Sequence, residues 1–156
     1  MADRNTFLVD SPFTRHREEP CAEGTYEVGK VLGRGADDGK LKPMSGSQNL
    51  FAAGVCDEAK TVTLAESAAG AVVRFKSGYF MLSGSSTNAP DAGDQGRLMY
   101  GESSSDPATT VVETAGTNPL MGRFVGLDSQ FGLTALGHPV VHIDDALHPS
   151  GSVNNT

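Results

Sequence analysis

Residues 71–83 read Ala-Val-Val-Arg-Phe-Lys-Ser-Gly-Tyr-Phe-Met-Leu-Ser, and this stretch decides the fold class. Within residues 73–76 apolar and basic side chains alternate, which is the two-residue period of a β-strand with one buried face. Ser77-Gly78 fits a two-residue hairpin turn, and the apolar residues 79–82 would form the returning strand. The stretch therefore predicts a β-hairpin.

The same pattern of short strands and glycine-rich turns continues on both sides of the hairpin. Further strands are predicted at 26–32, 40–42, 51–56, 61–64, 97–100, 109–113, 121–128 and 140–143. A glycine and aspartate turn is predicted at 33–39, and one turn of helix at 65–69. No segment keeps a helical apolar stripe over about 12 residues. We therefore predict an all-β fold, a compact small barrel or sandwich of about nine short strands with an extended N-terminal arm.

Composition limits the classes of function. The chain has 156 residues, which corresponds to one domain, and its 19 glycines and lack of tryptophan indicate a core of small side chains and many turns. A net charge of −7 gives no electrostatic basis for binding nucleic acid. No apolar run is long enough to cross a bilayer, and the N-terminus lacks the apolar stretch of a secretory signal. Two cysteines do not make a disulfide framework, so we expect folding in a reducing cytoplasm.

The first 24 residues differ from the rest of the chain. They contain eight charged residues and two prolines, with few apolar side chains. Because proline and the residue before it favour extended conformations, this segment is either an extended arm or a disordered terminus. We therefore expect an N-terminal arm at 1–24, a β-barrel or sandwich domain at 25–145 and a polar C-terminal tail at 146–156.

His138, His142 and Asp144 are the strongest candidates for a metal site. On a strand these three positions face the same way, and imidazole and carboxylate groups are zinc ligands. However, Pro139 and the distance of about 6–7 Å between alternate residues weaken this hypothesis. We instead predict that these side chains form the solvated face of the last strand, and we expect no bound metal.

The remaining reactive residues also lack a catalytic setting. Cys56 lies in an apolar run, where cysteine behaves as a small hydrophobic residue. The acidic pairs at 37–38 and at Asp91 and Asp94 could contact Ca²⁺, but such residues more often form Asx-turns. No glycine-rich stretch has the form of a phosphate-binding loop, and no serine has a nucleophile-elbow sequence. We therefore expect no enzymatic activity and no cofactor.

Four short segments, in order along the chain, resemble the head decoration (cement) proteins of tailed bacteriophages. The matching segments are Phe-Ala-Ala-Gly-Val at 51–55, Val-Arg-Phe-Lys-Ser-Gly-Tyr-Phe at 73–80, Gly-Asp-Gln-Gly-Arg-Leu-Met-Tyr at 93–100 and Gly-Arg-Phe-Val-Gly-Leu-Asp at 122–128, followed by a closing strand at 140–143. The resemblance covers roughly residues 50–144. The loops at 83–96 and 101–107 are longer than the family pattern, and the charged arm has no counterpart in it.

The resemblance implies a structural virion protein that binds the outside of an expanded capsid and stabilises it. Its implied partner is the major capsid protein, and its implied assembly is a homotrimer at local three-fold positions on the capsid surface, after synthesis in the host cytoplasm. An alternative is a phage tail or fibre component, or a glycan-binding β-module. In that alternative Tyr79, Tyr100 and Phe131 could form a sugar platform.

The arm is the candidate contact with the capsid. An extended arm can add a strand to the sheet edge of another subunit, and its apolar side chains can occupy shallow pockets. The residues expected to make this contact are Phe7, Leu8, Val9, Phe13, Arg15 and Arg17.

Overall fold

The computed structural model describes residues 7–9, 14–35, 37–46 and 50–144, and it is rich in β-strands. The strands are β1 (Phe7–Val9), β2 (Arg15–Pro20), β3 (Gly24–Tyr26), β4 (Val31–Gly35), β5 (Leu41–Pro43), β6 (Leu50–Cys56), β7 (Lys60–Val62), β8 (Val72–Met81), β9 (Ser83–Gly84), β10 (Leu98–Gly101), β11 (Thr110–Val112), β12 (Leu120–Leu127) and β13 (Pro139–Ile143). One α-helix, α1 (Leu64–Ala68), and 3₁₀ turns at Ala92–Asp94 and Asp128–Phe131 complete the described elements. This composition confirms the prediction of an all-β fold.

Eleven of these strands form one mixed sheet, and four of them are linked in a closed cycle of strand pairings. The main path runs β5-β4-β6-β8-β13-β12-β10-β11-β9, with β1 and β2 paired to β8. In addition, β6 meets β12 in parallel at the pair Phe51 and Leu120. Because β6, β8, β13 and β12 each pair with the next, this last contact completes a ring of four paired strands. Strands β3 and β7 form a separate two-stranded sheet.

Two glycines allow the strands of this ring to approach closely. A Cβ atom on Gly54 of β6 would lie 2.4 Å from the carbonyl oxygen of Lys76 on β8. A Cβ on Gly122 of β12 would lie 2.4 Å from the carbonyl oxygen of His142 on β13. Both distances are impossible for real atoms, so any larger residue would push neighbouring strands apart. The close approach of β6 to β8 and of β12 to β13 therefore depends on the absence of a side chain at these two positions.

The core is divided into two apolar clusters. The larger one is Val31, Met44, Leu50, Ala52, Val55, Phe80, Leu82, Met99, Ala108, Val111, Met121, Phe124, Val141 and Ile143. The smaller one is Cys21, Tyr26, Leu32, Leu41, Ala53, Cys56, Val62, Val73 and Phe75. β8 contributes to both clusters, so it is buried on both faces for part of its length. It is the central strand of the molecule.

The predicted hairpin at 71–83 is wrong, because β8 is one continuous strand through Ser77-Gly78. Ser77 is fully buried, and its hydroxyl donates a hydrogen bond to the carbonyl of Ala53 at 3.1 Å. Residues 72–77 pair with β2 rather than with residues 79–82. The alternating pattern identified a strand correctly. Ser77-Gly78 forms no turn because residues distant in sequence, in β2 and β6, supply the partners of this strand.

Two smaller predictions have different outcomes. The turn predicted at 33–39 begins later, because β4 continues to Gly35 and pairs with both β5 and β6. The single helical turn predicted at 65–69 is confirmed as α1. Its N-cap is a capping box, in which Thr63 Oγ1 accepts from the Glu66 N–H at 3.2 Å and Glu66 Oε1 accepts from the Thr63 N–H at 2.9 Å. The predicted tail at 146–156 lies outside the described residues.

Candidate functional site

Two strands of the predicted arm, β1 and β2, lie on one edge of β8. β1 pairs antiparallel with Tyr79–Met81, and β2 pairs antiparallel with residues 72–77 over all six of its residues. The expected extended conformation is therefore present, as part of the sheet. Phe13, also expected at the capsid contact, lies outside the described residues.

Arg15 and Arg17 of β2 both approach a buried carboxylate near the other end of the chain. Nη2 of Arg15 donates to the two carboxylate oxygens of Asp144, at 2.9 and 2.8 Å. Nη1 of Arg17 lies 3.9 Å from Oδ1 of the same residue. Asp144 is only 7% exposed, so its charge is balanced mainly by these arginines rather than by water.

Arg17 extends this network along β2. Its guanidinium pairs with Glu19 and lies 5.0 Å from the ring centroid of Phe75, a cation–π contact. Glu19 in turn pairs with Arg34 of β4 at 2.9 Å. We refer to the set Arg15, Arg17, Glu19, Arg34 and Asp144 as the β2 ion-pair cluster. The two arginines expected to contact a capsid thus make contacts within the chain itself.

The opposite edge of β2 faces away from β8. The N–H of Cys21, just after β2, donates to the carbonyl of Ala71 at 3.0 Å. In an antiparallel ladder inward and outward backbone groups alternate, so the N–H and C=O of His16 and Glu18 point outward. Both residues are exposed. Just beyond β2 this edge meets β5, where Cys21 forms an isolated parallel bridge with Leu41 and the N–H of Ala22 donates to the carbonyl of Leu41 at 2.8 Å. At His16 and Glu18 no strand among the described residues pairs with the outer edge.

A second exposed feature is the loop at residues 129–138, between β12 and β13, which we call the uncharged loop because it contains no Asp, Glu, Lys or Arg. Its shape is held by Asp128, which is fully buried. Oδ1 of Asp128 accepts from the N–H groups of Gly137 and His138 at 2.9 and 3.1 Å, and Oδ2 accepts from the hydroxyl of Thr134. One carboxylate therefore fixes both sides of the loop.

The uncharged loop presents large apolar side chains to solvent. Phe131 is 47% exposed, Leu133 46% and Leu136 76%. The other large apolar side chains that are exposed in the described residues are Val28 and Leu64, each in a different part of the fold. Exposed apolar side chains grouped in one short segment are typical of interaction surfaces.

The metal hypothesis for the last strand is not supported by the positions of its residues. Asp144 is engaged by Arg15, and the His142 ring packs edge-on against Tyr79, with centroids 4.4 Å apart and planes at 89°. Burial lowers the pKa of His142. Within residues 7–9, 14–35, 37–46 and 50–144 no three His, Cys, Asp or Glu side chains could jointly hold a metal ion. The predicted solvated face is also partly wrong, because Asp144 is buried.

Both cysteines lie inside the smaller core cluster as free thiols. Cys56 donates to the carbonyl of Glu58 at 3.0 Å, and Cys21 donates to the carbonyl of Ala71 at 3.5 Å. Burial raises the pKa of both thiols and also that of Tyr26, whose hydroxyl donates to the carbonyl of Ala22 at 2.7 Å. Neutral buried thiols are poor nucleophiles.

The acidic turns act as local structural elements. Oδ1 of Asp38 accepts from the N–H of Lys40 at 3.0 Å, and Oδ1 of Asp91 accepts from the N–H of Gly93 at 2.8 Å. Asp94 reaches back to the N–H of Asp91 at 2.9 Å. These are the Asx-turns that the sequence predicted.

The aromatic residues considered for a sugar platform are spread over the molecule. Tyr100 is paired with Leu120 at the start of β12. The ring of Phe131 lies over Gly126, 3.0 Å from the place a Cβ would occupy. Six residues of strand separate these two points, which is about 20 Å. They therefore cannot contact one small sugar together.

A small cavity of about 220 Å³ lies beside β3, β4 and β5. Its lining includes Tyr26, Met44 and the ion pair of Lys30 with Asp106, whose Nζ and Oδ2 are 2.9 Å apart. This volume is below the usual range for pockets that enclose organic ligands. In the part of the chain that the structure describes, no helix is long and apolar enough to cross a membrane.

No family model, no curated protein and no solved structure matches this chain. The geometry of its own residues is therefore the basis for assigning a site. Sequence reasoning missed both the ion-pair cluster and the uncharged loop. The loop had a detectable signal, namely three large apolar residues in a run of ten without charge, directly after Asp128.

Proposed function

We propose that this protein is a structural virion component that binds the outside of an expanded phage capsid and stabilises it. Its partner in this proposal is the major capsid protein, and its assembly is a homotrimer at local three-fold positions. The order of sequence motifs and the β-rich fold are compatible with this role. The observation that carries the proposal is the outward-facing edge of β2, which is ready to accept a further strand.

A strand added to this edge would be recognised mainly through backbone hydrogen bonds. The outward N–H and C=O groups of His16 and Glu18 are the ones available for such β-augmentation. The charged side chains on β2 also reduce nonspecific pairing with other edges, a usual protection of exposed strands. The edge can therefore accept a strand from a partner and still disfavour pairing with unrelated strand edges.

The β2 ion-pair cluster connects this edge to the rest of the sheet. Asp144 follows β13 and Arg34 lies on β4, so the cluster fastens β2 to two further strands besides β8. A capsid segment paired with β2 would therefore be held by the whole domain. Such a protein stabilises a shell by mass action if it binds the assembled lattice and not the free subunits. Several weak contacts per trimer add through effective concentration.

The experiment compares two variants of one outward-facing residue, Glu18→Pro and Glu18→Ala. Proline removes the outward N–H without removing a hydrogen bond to β8, whereas alanine removes only the side chain. Each variant is incubated with expanded, undecorated shells of the major capsid protein from the same phage genome. Bound protein is measured by co-sedimentation, and folding is checked by circular dichroism.

We expect the alanine variant to bind like the unchanged protein and the proline variant to bind at least about tenfold more weakly. Equal binding by both variants would exclude the β2 edge as the contact. No binding by the unchanged protein would overturn the proposed function itself. A glycan array run in parallel tests the glycan-binding alternative.

A further inference from the structure

We propose that the uncharged loop, residues 129–138, is a contact surface between copies of this chain. Its three exposed apolar side chains, Phe131, Leu133 and Leu136, would pack against the same loop or an adjoining surface of a second copy. The inference concerns self-association, and it holds whether or not the copies assemble on a capsid.

The loop has the properties of a preorganised interface. Asp128 fixes its two sides through Gly137, His138 and Thr134, and the Thr134 hydroxyl also accepts from the N–H of Leu136 at 3.1 Å. The side chain of Gln130 accepts from the N–H of Leu127 at 2.7 Å, which anchors the start of the loop. A loop held in one conformation loses little entropy on binding.

The distribution of charge favours the uncharged loop as the place where two copies meet. Each copy carries a net charge of −7, so two copies repel each other over most approaches. At the uncharged loop no carboxylate of one copy needs to face a carboxylate of the other. Asp128, the charged residue that directly precedes the loop in sequence, is fully buried and hydrogen-bonded. An apolar contact is therefore least opposed at this point.

The loop is also remote from the edge proposed for the capsid. Leu82, next to the end of β8, donates to the carbonyl of Pro139 at 2.9 Å, so the loop ends level with residue 82. Glu18 on β2 is level with Arg74. Eight strand residues separate these levels, which is about 25 Å. A copy bound through β2 would thus keep its uncharged loop available to a neighbouring copy.

The test measures the mass of the full chain by sedimentation equilibrium over a wide range of concentration. The disrupting variant is Leu133→Asp with Leu136→Asp, which adds two charges to the loop. The matched control is Leu64→Asp, because Leu64 is 69% exposed but lies on α1. We expect concentration-dependent association of the unchanged protein and of the control, and association at least about tenfold weaker in the loop variant.

Salt provides an independent signature. Salt screens the repulsion between the two negatively charged copies, so higher ionic strength should strengthen association through an apolar contact. A contact made by ion pairs would instead be weakened by salt. A monomer at all concentrations, or equal association by the loop variant, would overturn the proposal. Association that falls with salt would also overturn it.

A second variant keeps the test decisive if the doubly charged loop fails to fold. Leu136→Cys places one exposed thiol on the loop, while Cys21 and Cys56 remain buried. The oxidant is diamide. It takes two electrons and two protons from a pair of thiols that come into contact, which leaves one disulfide and the hydrazine form of diamide. We expect a covalent dimer from Leu136→Cys and much less from Leu64→Cys. Equal cross-linking of the two would contradict the proposed surface.

Discussion

Arg15 and Asp144 are 129 positions apart in sequence, yet one guanidinium nitrogen of Arg15 donates to both carboxylate oxygens of Asp144, at 2.9 and 2.8 Å. The contact joins the N-terminal strand β2 to the residue that follows the last strand, β13. β2 is therefore attached to the rest of the sheet by ion pairs as well as by its backbone ladder with β8. A segment fastened in this way can be loosened by removing charge without disturbing the apolar core.

Replacing Asp144 by Asn should loosen β2. The change removes the charge that balances Arg15 and Arg17, and we expect the free energy of unfolding to fall by about 1 kcal/mol. Amide hydrogen exchange should accelerate in residues 15–20 more than in β12. The control is Asp57→Asn, which disrupts a pair with Lys76 whose carboxylate is more exposed than that of Asp144, and it should change stability by less than about 0.5 kcal/mol. Unchanged exchange in β2 would contradict the clamping role of the cluster.

Replacing Gly122 by Ala should be far more damaging than its small size suggests. The new methyl group would lie 2.4 Å from the carbonyl oxygen of His142, so β12 and β13 must separate. We expect a loss of about 3 kcal/mol or more, measured by urea unfolding. Gly39→Ala is the control, because nothing lies within 4 Å and only its φ of 70° is unfavourable. Its cost should be about 1–2 kcal/mol, and equal losses would argue against steric closure.

The sequence predicts the fold class well, because strand periodicity is a local property. The alternation in residues 73–76 and the β-branched and apolar runs at 51–56 and 140–143 all coincide with strands. The failed hairpin has a non-local cause. Ser77 is satisfied by the carbonyl of Ala53, and β2 supplies the pairing that a hairpin would have supplied. Neither partner could be read from residues 71–83.

The candidate sites were less accessible to sequence reasoning for the same physical reason. Nothing in the sequence places Arg15 and Arg17 near Asp144, because this contact forms only when β2 and β13 have both paired with β8. Asp144 looks like a metal ligand with the histidines until its charge is found to be balanced by arginine. Only the uncharged loop has a local signal, since its apolar residues and the preceding Asp128 are contiguous in sequence.

Stability should fall in alkaline solution. Burial raises the pKa of Cys21, Cys56 and Tyr26, so the folded protein retains these protons at a pH where the unfolded chain releases them. The unfolded state then binds fewer protons, and the free energy of unfolding decreases as pH rises above about 8.5 for the thiols and above about 10 for the tyrosine. Urea unfolding with a reducing agent, from pH 7 upward, measures this decline.

The double variant Cys21→Ala with Cys56→Ala isolates the contribution of the thiols. It will be less stable at pH 7, because two buried side chains become smaller. Its stability should nevertheless decline less steeply between pH 8 and 10 than that of the unchanged protein. A parallel decline in both proteins would mean that the thiols do not carry the effect.

Asp128→Ala should release the uncharged loop while leaving the sheet folded. The substitution leaves the N–H groups of Gly137 and His138 and the hydroxyl of Thr134 without their acceptor. We expect a loss of about 1–3 kcal/mol, because some of these groups can reach water once the loop opens. Hydrogen exchange at residues 129–138 should rise at least about tenfold, with little change in β8.

The same variant separates the shape of the loop from its composition. Phe131, Leu133 and Leu136 all remain in this variant. If their apolar side chains were sufficient without a fixed loop conformation, the variant would still self-associate. If self-association requires the preorganised loop, Asp128→Ala should weaken it although no exposed side chain has changed. Ser129→Ala, a change at an exposed neighbouring position, serves as the control and should alter neither exchange nor association. Slow exchange retained in the loop of Asp128→Ala would show that Asp128 does not hold it, and the argument for a preorganised surface would fail.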